Sequence, residues 1–325
     1  MYKYIKQWPK DRENGWSHEL NGVCHDDDNW YFTQNGKPAS LKSKEYGVLW
    51  KFPINHRLAD KVTTANPAKG ILNYDTSKIK GGKKLHYGDL DYYNGYLFVP
   101  VTGGGNPFIQ VFTAKDLIPV TTQVLKRPDG KYFDSIAWCA INPKDGRLYT
   151  SDRHISHNFQ SSDKTPFLVY DIDFLKIKER NTNFLTFNTA IIPTTSDGKV
   201  LDYDYIQGGC FDFENHLHTT NGSYTGISKK YCNSKGGIFV FQMPNVINKG
   251  VIDTAKRIAQ SNQSRGFRYQ FNGLGDEPEG ITYWNLNNDP RASKDIKGVL
   301  HAIMINNDDG VTNPDDFYFK HYDRT

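Results

Sequence analysis

The chain has 325 residues, 37% of them apolar and 23% charged, which is the balance of a folded, water-facing protein rather than a disordered or fibrous one. Its net charge of +4 is spread along the sequence, and the one basic run, KGGKK at 80–84, reads as a solvated loop, so a nucleic-acid groove is not expected. No apolar run approaches the roughly 18 residues of a membrane span, and the first residues, MYKYIKQWPKDREN, lack the apolar stretch of a signal peptide; the expectation is a cytoplasmic protein or a mature secreted form.

From the N-terminus onward the chain reads as strands. The high aromatic content (20 Tyr, 19 Phe and 6 Trp) suits pleated faces on which rings pack. YKYIKQW (2–8) is the first strand. A recurring pattern then begins: a small residue, an apolar strand, a polar turn and a second aromatic-rich strand. It occurs as NGVCHDDDNWYFTQNG (21–36), YGDLDYYNGYLFVPVTGG (87–104), IAWCAINPKDGRLYTSDR (136–153), QGGCFDFENHLHTTNG (207–222) and EGITYW with GVLHAIMINNDDG (279–310). A third strand follows each: 47–54, 107–114, 166–173, 236–243 and 316–323. A fourth follows the first four copies, at 69–75, 121–128, 184–193 and 266–273. The fifth copy has no room for one, and strand 2–8 is spare. VIDTAKRIAQSNQ (251–263) places Ile252, Ala255, Ile258 and Ala259 at helical spacing and predicts a short covering helix.

Four-stranded units repeated around an axis, the last completed by the N-terminal strand, describe an all-β fold: a five-bladed β-propeller of antiparallel blades. Residues 1–325 then form one domain, with blades beginning near 21, 87, 136, 207 and 279.

Aligned on the small residue, Gly22, Gly88, Ala137, Gly208 and Gly280 coincide, and two positions later stand Cys24, Leu90, Cys139, Cys210 and Thr282. Three cysteines at one core position read as small buried hydrophobes, not as disulfide or metal partners. The position before the small residue carries Asn21, Tyr87, Gln207 and Glu279. With His18, Glu19, His86, Asp89, Asp134, Ser135, Trp138, Tyr205 and Glu277 they form a polar ring at the mouth of a central channel, the pattern of a ligand site. Glu279 with His86 or Asp89 can serve as an acid–base pair. The same acidic oxygens, with Asn and Gln carbonyls, can instead hold Ca²⁺. The aspartates of HDDDNW (25–30) read as turn residues, and SDRHISHNF (151–159) offers Asp152, His154 and His157 in a loop.

The short NGYLF and DGRLY turns resemble those of YncE-like, NHL-like and SMP-30/gluconolactonase-like propellers. EPEGITYW resembles the segment of SMP-30-like and SdiA-regulated-like propellers in which a Glu faces the channel, which would give Glu279 a metal-facing role. YIQGGCFDFENHLHTTNGSY (205–224) resembles one blade of plant-type glutaminyl cyclases. Three functions remain open from the sequence. The first is a binding protein for a small polar molecule or glycan, with or without Ca²⁺, through Glu19, Asn21, Tyr87, Asp134, Trp138, Gln207 and Glu277. The second is a hydrolase, lyase or cyclotransferase at the same site, using Glu279, His86 and Asp89. The third is a scaffold for protein partners.

Overall fold

A computed structural model describes residues 1–10, 15–35, 46–78, 85–152, 166–201, 206–222, 236–262, 266–269, 276–306 and 316–325. The fold is nearly all-β, with one short α-helix among the described residues. Strand β1 (Tyr2–Lys10) is followed by the meander β2 (Leu20–His25), β3 (Asn29–Asn35), β4 (Gly47–Pro53) and β5 (Leu72–Asp75), which pair in that order. Next come β6 (His86–Tyr87) and β7 (Asp91–Tyr93), both on β8 (Tyr96–Thr102), then β9 (Phe108–Thr113) and β10 (Pro119–Val124). A third meander runs β11 (Ala140–Ile141), β12 (Leu148–Thr150), β13 (Phe167–Ile172), α1 (Phe174–Lys178) and β14 (Leu185–Thr194). The fourth is β15 (Ile206–Phe211), β16 (His216–Asn221), β17 (Gly237–Gln242) and β18 (Asp253–Gln260). β14 and β18 pair in parallel, so these two meanders share one eight-stranded sheet. The last is β19 (Asp276–Tyr283), β20 (Leu300–Asn306) and β21 (Asp316–Arg324), with β1 antiparallel on the outer edge of β21.

The innermost strands touch in cyclic order: β2 lies on β7, β7 on β11, β11 on β15, β15 on β19, and β19 returns to β2. Aromatic side chains fill the space between neighbouring sheets. Trp16, Trp30, Phe32 and Phe52 of the first interlock with Phe317 and Phe319 of the last at ring distances of 4.9–6.1 Å. Each such ring removed from water contributes about 1.5–3 kcal/mol. Cys24, Cys139 and Cys210 are free thiols buried in these layers, and burial pushes all three up.

The helix expected over 251–263 is the strand β18. Its side chains alternate, with Ala255 buried while Lys256 and Ile258 are exposed. Burial therefore follows a period of two, with Ala255, Arg257 and Ala259 on the packed face and Ile258 on the open one, and Arg257 is laid over the Phe239 ring at 5.2 Å. β18 also fills the fourth-strand place assigned to 266–273. Of that segment, residues 266–269 lie outside any strand and 270–273 fall outside the described residues.

In HDDDNW, Asp26 accepts the backbone N–H of Asp28 (2.8 Å) and Asn29 (2.6 Å) and the Tyr31 hydroxyl (2.6 Å). It is a turn-forming acid that also anchors a core tyrosine.

Candidate functional site

The small residues sit where the inner strands converge, and backbone fills the space around them. A Cβ on Gly280 would lie 2.6 Å from the Gly22 Cα, and one on Gly22 would lie 2.7 Å from the Asp89 Cα. The axis is therefore closed at this level rather than open as a channel. The closing group is Asp89. Its carboxylate is buried and accepts N–H from Val23 (2.9 Å), Gly209 (2.9 Å) and Ile281 (3.2 Å). Its own N–H donates to Ala137 O (2.7 Å) and its carbonyl accepts from Cys139 N (3.1 Å). One aspartate thus binds the inner strands of all the other meanders. Burial pushes its carboxyl well up, against the three amides that favour the anion. Expected as a catalytic partner, Asp89 has its two oxygens committed to backbone, so its place is the floor of the site.

Above this floor the strands break register. Partner counts slip between Leu20 and Gly22, between Ile206 and Gly208, and between Pro278 and Ile281. Asn21, Gln207 and Glu279 stand in these bulges, which re-aim side chains that a regular pleat would place elsewhere. In the second sheet the break falls between β6 and β7, and there His86 faces the group.

The result is a polar cluster drawn from four sheets, buried except at half-buried His86. Asn21 Nδ2 lies 3.2 Å from His86 Nε2 and donates to Glu279 Oε2 at 3.4 Å. Gln207 Nε2 donates to Glu277 Oε1 and, at 3.3 Å, to Glu279 Oε1. Glu277 and Glu279 are two residues apart in β19, so their carboxylates share one face, both buried. Asn35, which sequence reasoning missed, supports the cluster. Its Nδ2 donates to Asn21 Oδ1 (2.6 Å) and to Tyr87 O (2.7 Å), and its Oδ1 accepts from Tyr87 N (2.7 Å).

Three residues expected in the ring lie elsewhere. Tyr87 turns its ring into the hydrophobic core, edge-on to Phe112, with its hydroxyl on Gln110 Oε1 at 3.2 Å. Trp138 is fully buried, edge-on to Phe167, with its indole N–H on Ser151 Oγ at 2.9 Å. Both are layer-filling rings. The Asp134 side chain is exposed; what reaches inward is its backbone N–H, on Asp152 Oδ2 at 3.3 Å. Glu19 sits at a left-handed turn (φ 47°), where its carbonyl accepts from Asn35 N at 2.9 Å. His18 and Ser135 are buried. Tyr205, His154 and His157 lie outside the described residues.

Among the described residues, the group of His, Cys, Asp or Glu whose ligand atoms meet within 4.8 Å is Asp212, Glu214 and His216, not the cluster at Glu279. Arg324 already binds Asp212 Oδ2 (2.7 Å) and Glu214, and His216 Nδ1 is on Asp212 Oδ2 (2.9 Å). A guanidinium holds both carboxylates, which marks the group as an ion-pair network.

No family model matches the chain, and no curated protein matches it in sequence. Among solved structures, a GH43_1 enzyme from Xanthomonas citri is similar at 8% identity and a TM-score of 0.47, over 95% of this chain and 89% of that one. A GH43 β-1,3-galactosidase with galactodeoxynojirimycin is similar at 10% identity and a TM-score of 0.47, over 99% and 98%. The allergen Mala s 1 of Malassezia sympodialis is similar at 13% identity and a TM-score of 0.43, over 99% and 82%. These values are too low to pass an activity or a ligand from those proteins to this chain. Among the described residues no helix is long and apolar enough to cross a membrane.

Proposed function

We propose that the chain is a five-bladed β-propeller that holds one small polar ligand, a sugar or similar hydroxyl-bearing molecule, at the end of its axis above Asp89. The reading rests on one observation: Asn21, half-buried His86, and buried Gln207, Glu277 and Glu279 come from four separate sheets and join in one hydrogen-bonded cluster. Different groups converge there, so a single asymmetric site is favoured over one site per blade. The carboxylates supply acceptors for ligand hydroxyls, as buried recognition sites require. Ca²⁺ at Glu279 would need Asn21 and Gln207 to turn carbonyl oxygens toward it, since both now present N–H groups to the carboxylates.

A second reading, an enzyme at the same place, is favoured by two carboxylates sharing one amide with an imidazole close by. There Glu279 would be the acid–base group and Glu277 its charged neighbour.

A thermal-shift screen of sugars, polyols, amines and CaCl₂ tests both. A ligand of the native state raises Tm by mass action. Glu279→Gln removes a charge-assisted acceptor worth about 1.5–3 kcal/mol, so the ligand should bind that variant about 10- to 100-fold more weakly. If the compound is a substrate, the same variant should also lose turnover. A ligand that protects wild type and Glu279→Gln equally would remove the cluster from consideration, and a blank screen would favour a protein-binding scaffold.

A further inference from the structure

The polarity of the cluster can be followed from the backbone outward. Asn35 is fixed first, because it bonds both backbone groups of Tyr87: the Tyr87 N–H can only donate, so it meets Oδ1, and the Tyr87 carbonyl can only accept, so it meets Nδ2. Asn35 Nδ2 therefore also faces Asn21, and the atom of Asn21 that receives it must be Oδ1. That turns the Asn21 amino group the other way, toward Glu279 Oε2 and His86 Nε2. An amide nitrogen has two hydrogens and no acceptor capacity, so the imidazole nitrogen opposite it must be unprotonated.

We propose that Asn35 is a positioning residue which, acting through Asn21, holds His86 as a neutral imidazole with its proton on Nδ1 and its acceptor, Nε2, turned to the cluster. The inference rests on the reading of the cluster as a ligand site, and it narrows the ligand. Both hydrogens of the Asn21 amino group are spent within the cluster. In the hydrogen bonds described, Glu277, Glu279 and His86 Nε2 all stand on the acceptor side. The matching ligand brings hydrogen-bond donors, such as vicinal hydroxyls or an amine, and can replace Asn21 at His86 Nε2. In an enzyme, His86 would enter the reaction as a base and not as an acid.

The relay is read without any ligand. Long-range ¹H–¹⁵N correlation of the labelled, full-length protein reports which ring nitrogen of each histidine carries the proton, and His86→Gln identifies the His86 signals among the ten imidazoles. At a pH of about 8, above ordinary imidazole titration, wild-type His86 should show a protonated Nδ1 and a bare Nε2. Asn35→Asp replaces the donor with an acceptor, so Asn21 should turn over and Nε2 should become protonated. Asn35→Asp also takes the donor from Tyr87 O and can cost folding, so Asn21→Asp supplies a second arm. It sets an acceptor directly against His86 and should likewise protonate Nε2. A protonated Nε2 in the wild type overturns the proposal at once, even if neither variant folds. Retention of the wild-type tautomer in a folded variant overturns the role of the relay. Neither result bears on whether the cluster binds a ligand, which the thermal-shift screen decides separately.

Discussion

At the scale of single residues, Asp89 ties the inner segments of the other four meanders together. Its equivalents one position after the small residue are Val23, Trp138, Gly209 and Ile281, an apolar or glycine column. One aspartate in that column was the available signal of an axial role, since a buried carboxylate needs donors and only backbone lies there. Three N–H groups converge on it. Asp89→Asn keeps the size but sets an N–H against an N–H, leaving at least one buried donor unmet. The expected loss is about 1–3 kcal/mol, read as a lower urea midpoint with an unchanged slope. A midpoint that does not move would contradict the clasp.

At the scale of elements, the segments read as third strands lie on β4, β9, β13, β17 and β21, because continuous apolar runs bounded by turns have few alternatives at that length. β18 was misread, since Ile252, Ala255, Ile258 and Ala259 fit a helix as well as part of a strand. Pairing with β14 and β17 decided it. The bulges were invisible for a related reason: an extra residue in a strand shows only against its partner. They explain the glycines. Gly280→Ala would place a methyl 2.5 Å from Asp89 Oδ1, 2.6 Å from the Gly22 Cα and 2.7 Å from the Val23 backbone nitrogen. Overpacking of this kind costs about 1–3 kcal/mol. Glu279 lies beside it, so Gly280→Ala should also weaken ligand binding, which titration of the folded variant would measure.

At the scale of the molecule, both chain ends are tied across sheets. Tyr2 OH meets His218 Nε2 at 2.7 Å, and Arg324 binds Asp212 and Glu214 of the β15–β16 turn. Burial would raise the Asp212 carboxyl. The hydrogen bond from His216 and the neighbouring positive charge outweigh it and hold the group down at about 2. His216 is raised in turn by that same hydrogen bond. For the aspartate, the folded value lies below the unfolded one, so its stabilisation is present above about pH 4 and is lost as pH falls toward 2. The histidine acts in the opposite sense, stabilising below its ordinary value and fading as pH rises through the raised one. Asp212→Asn should therefore cost about 2 kcal/mol near pH 6, and the gap from wild type should close as the pH approaches 2. Denaturation curves across that range would show it, and a constant gap would mean that Asp212 acts through shape and not through charge.

The sequence by itself determined that the chain is nearly all-β, where most strands run, that Cys24, Cys139 and Cys210 pack as core, and that Asn21, Gln207 and Glu279 share one level. Alternation, turn residues and a small residue in register are local properties, and local sequence encodes them. Tertiary structure alone decided that Tyr87 and Trp138 fill layers, that Asn35 completes the cluster, and that Asp89 closes the axis. Each of these depends on which way a bulged or interrupted strand turns its side chains, and that is set by the backbone of a different sheet.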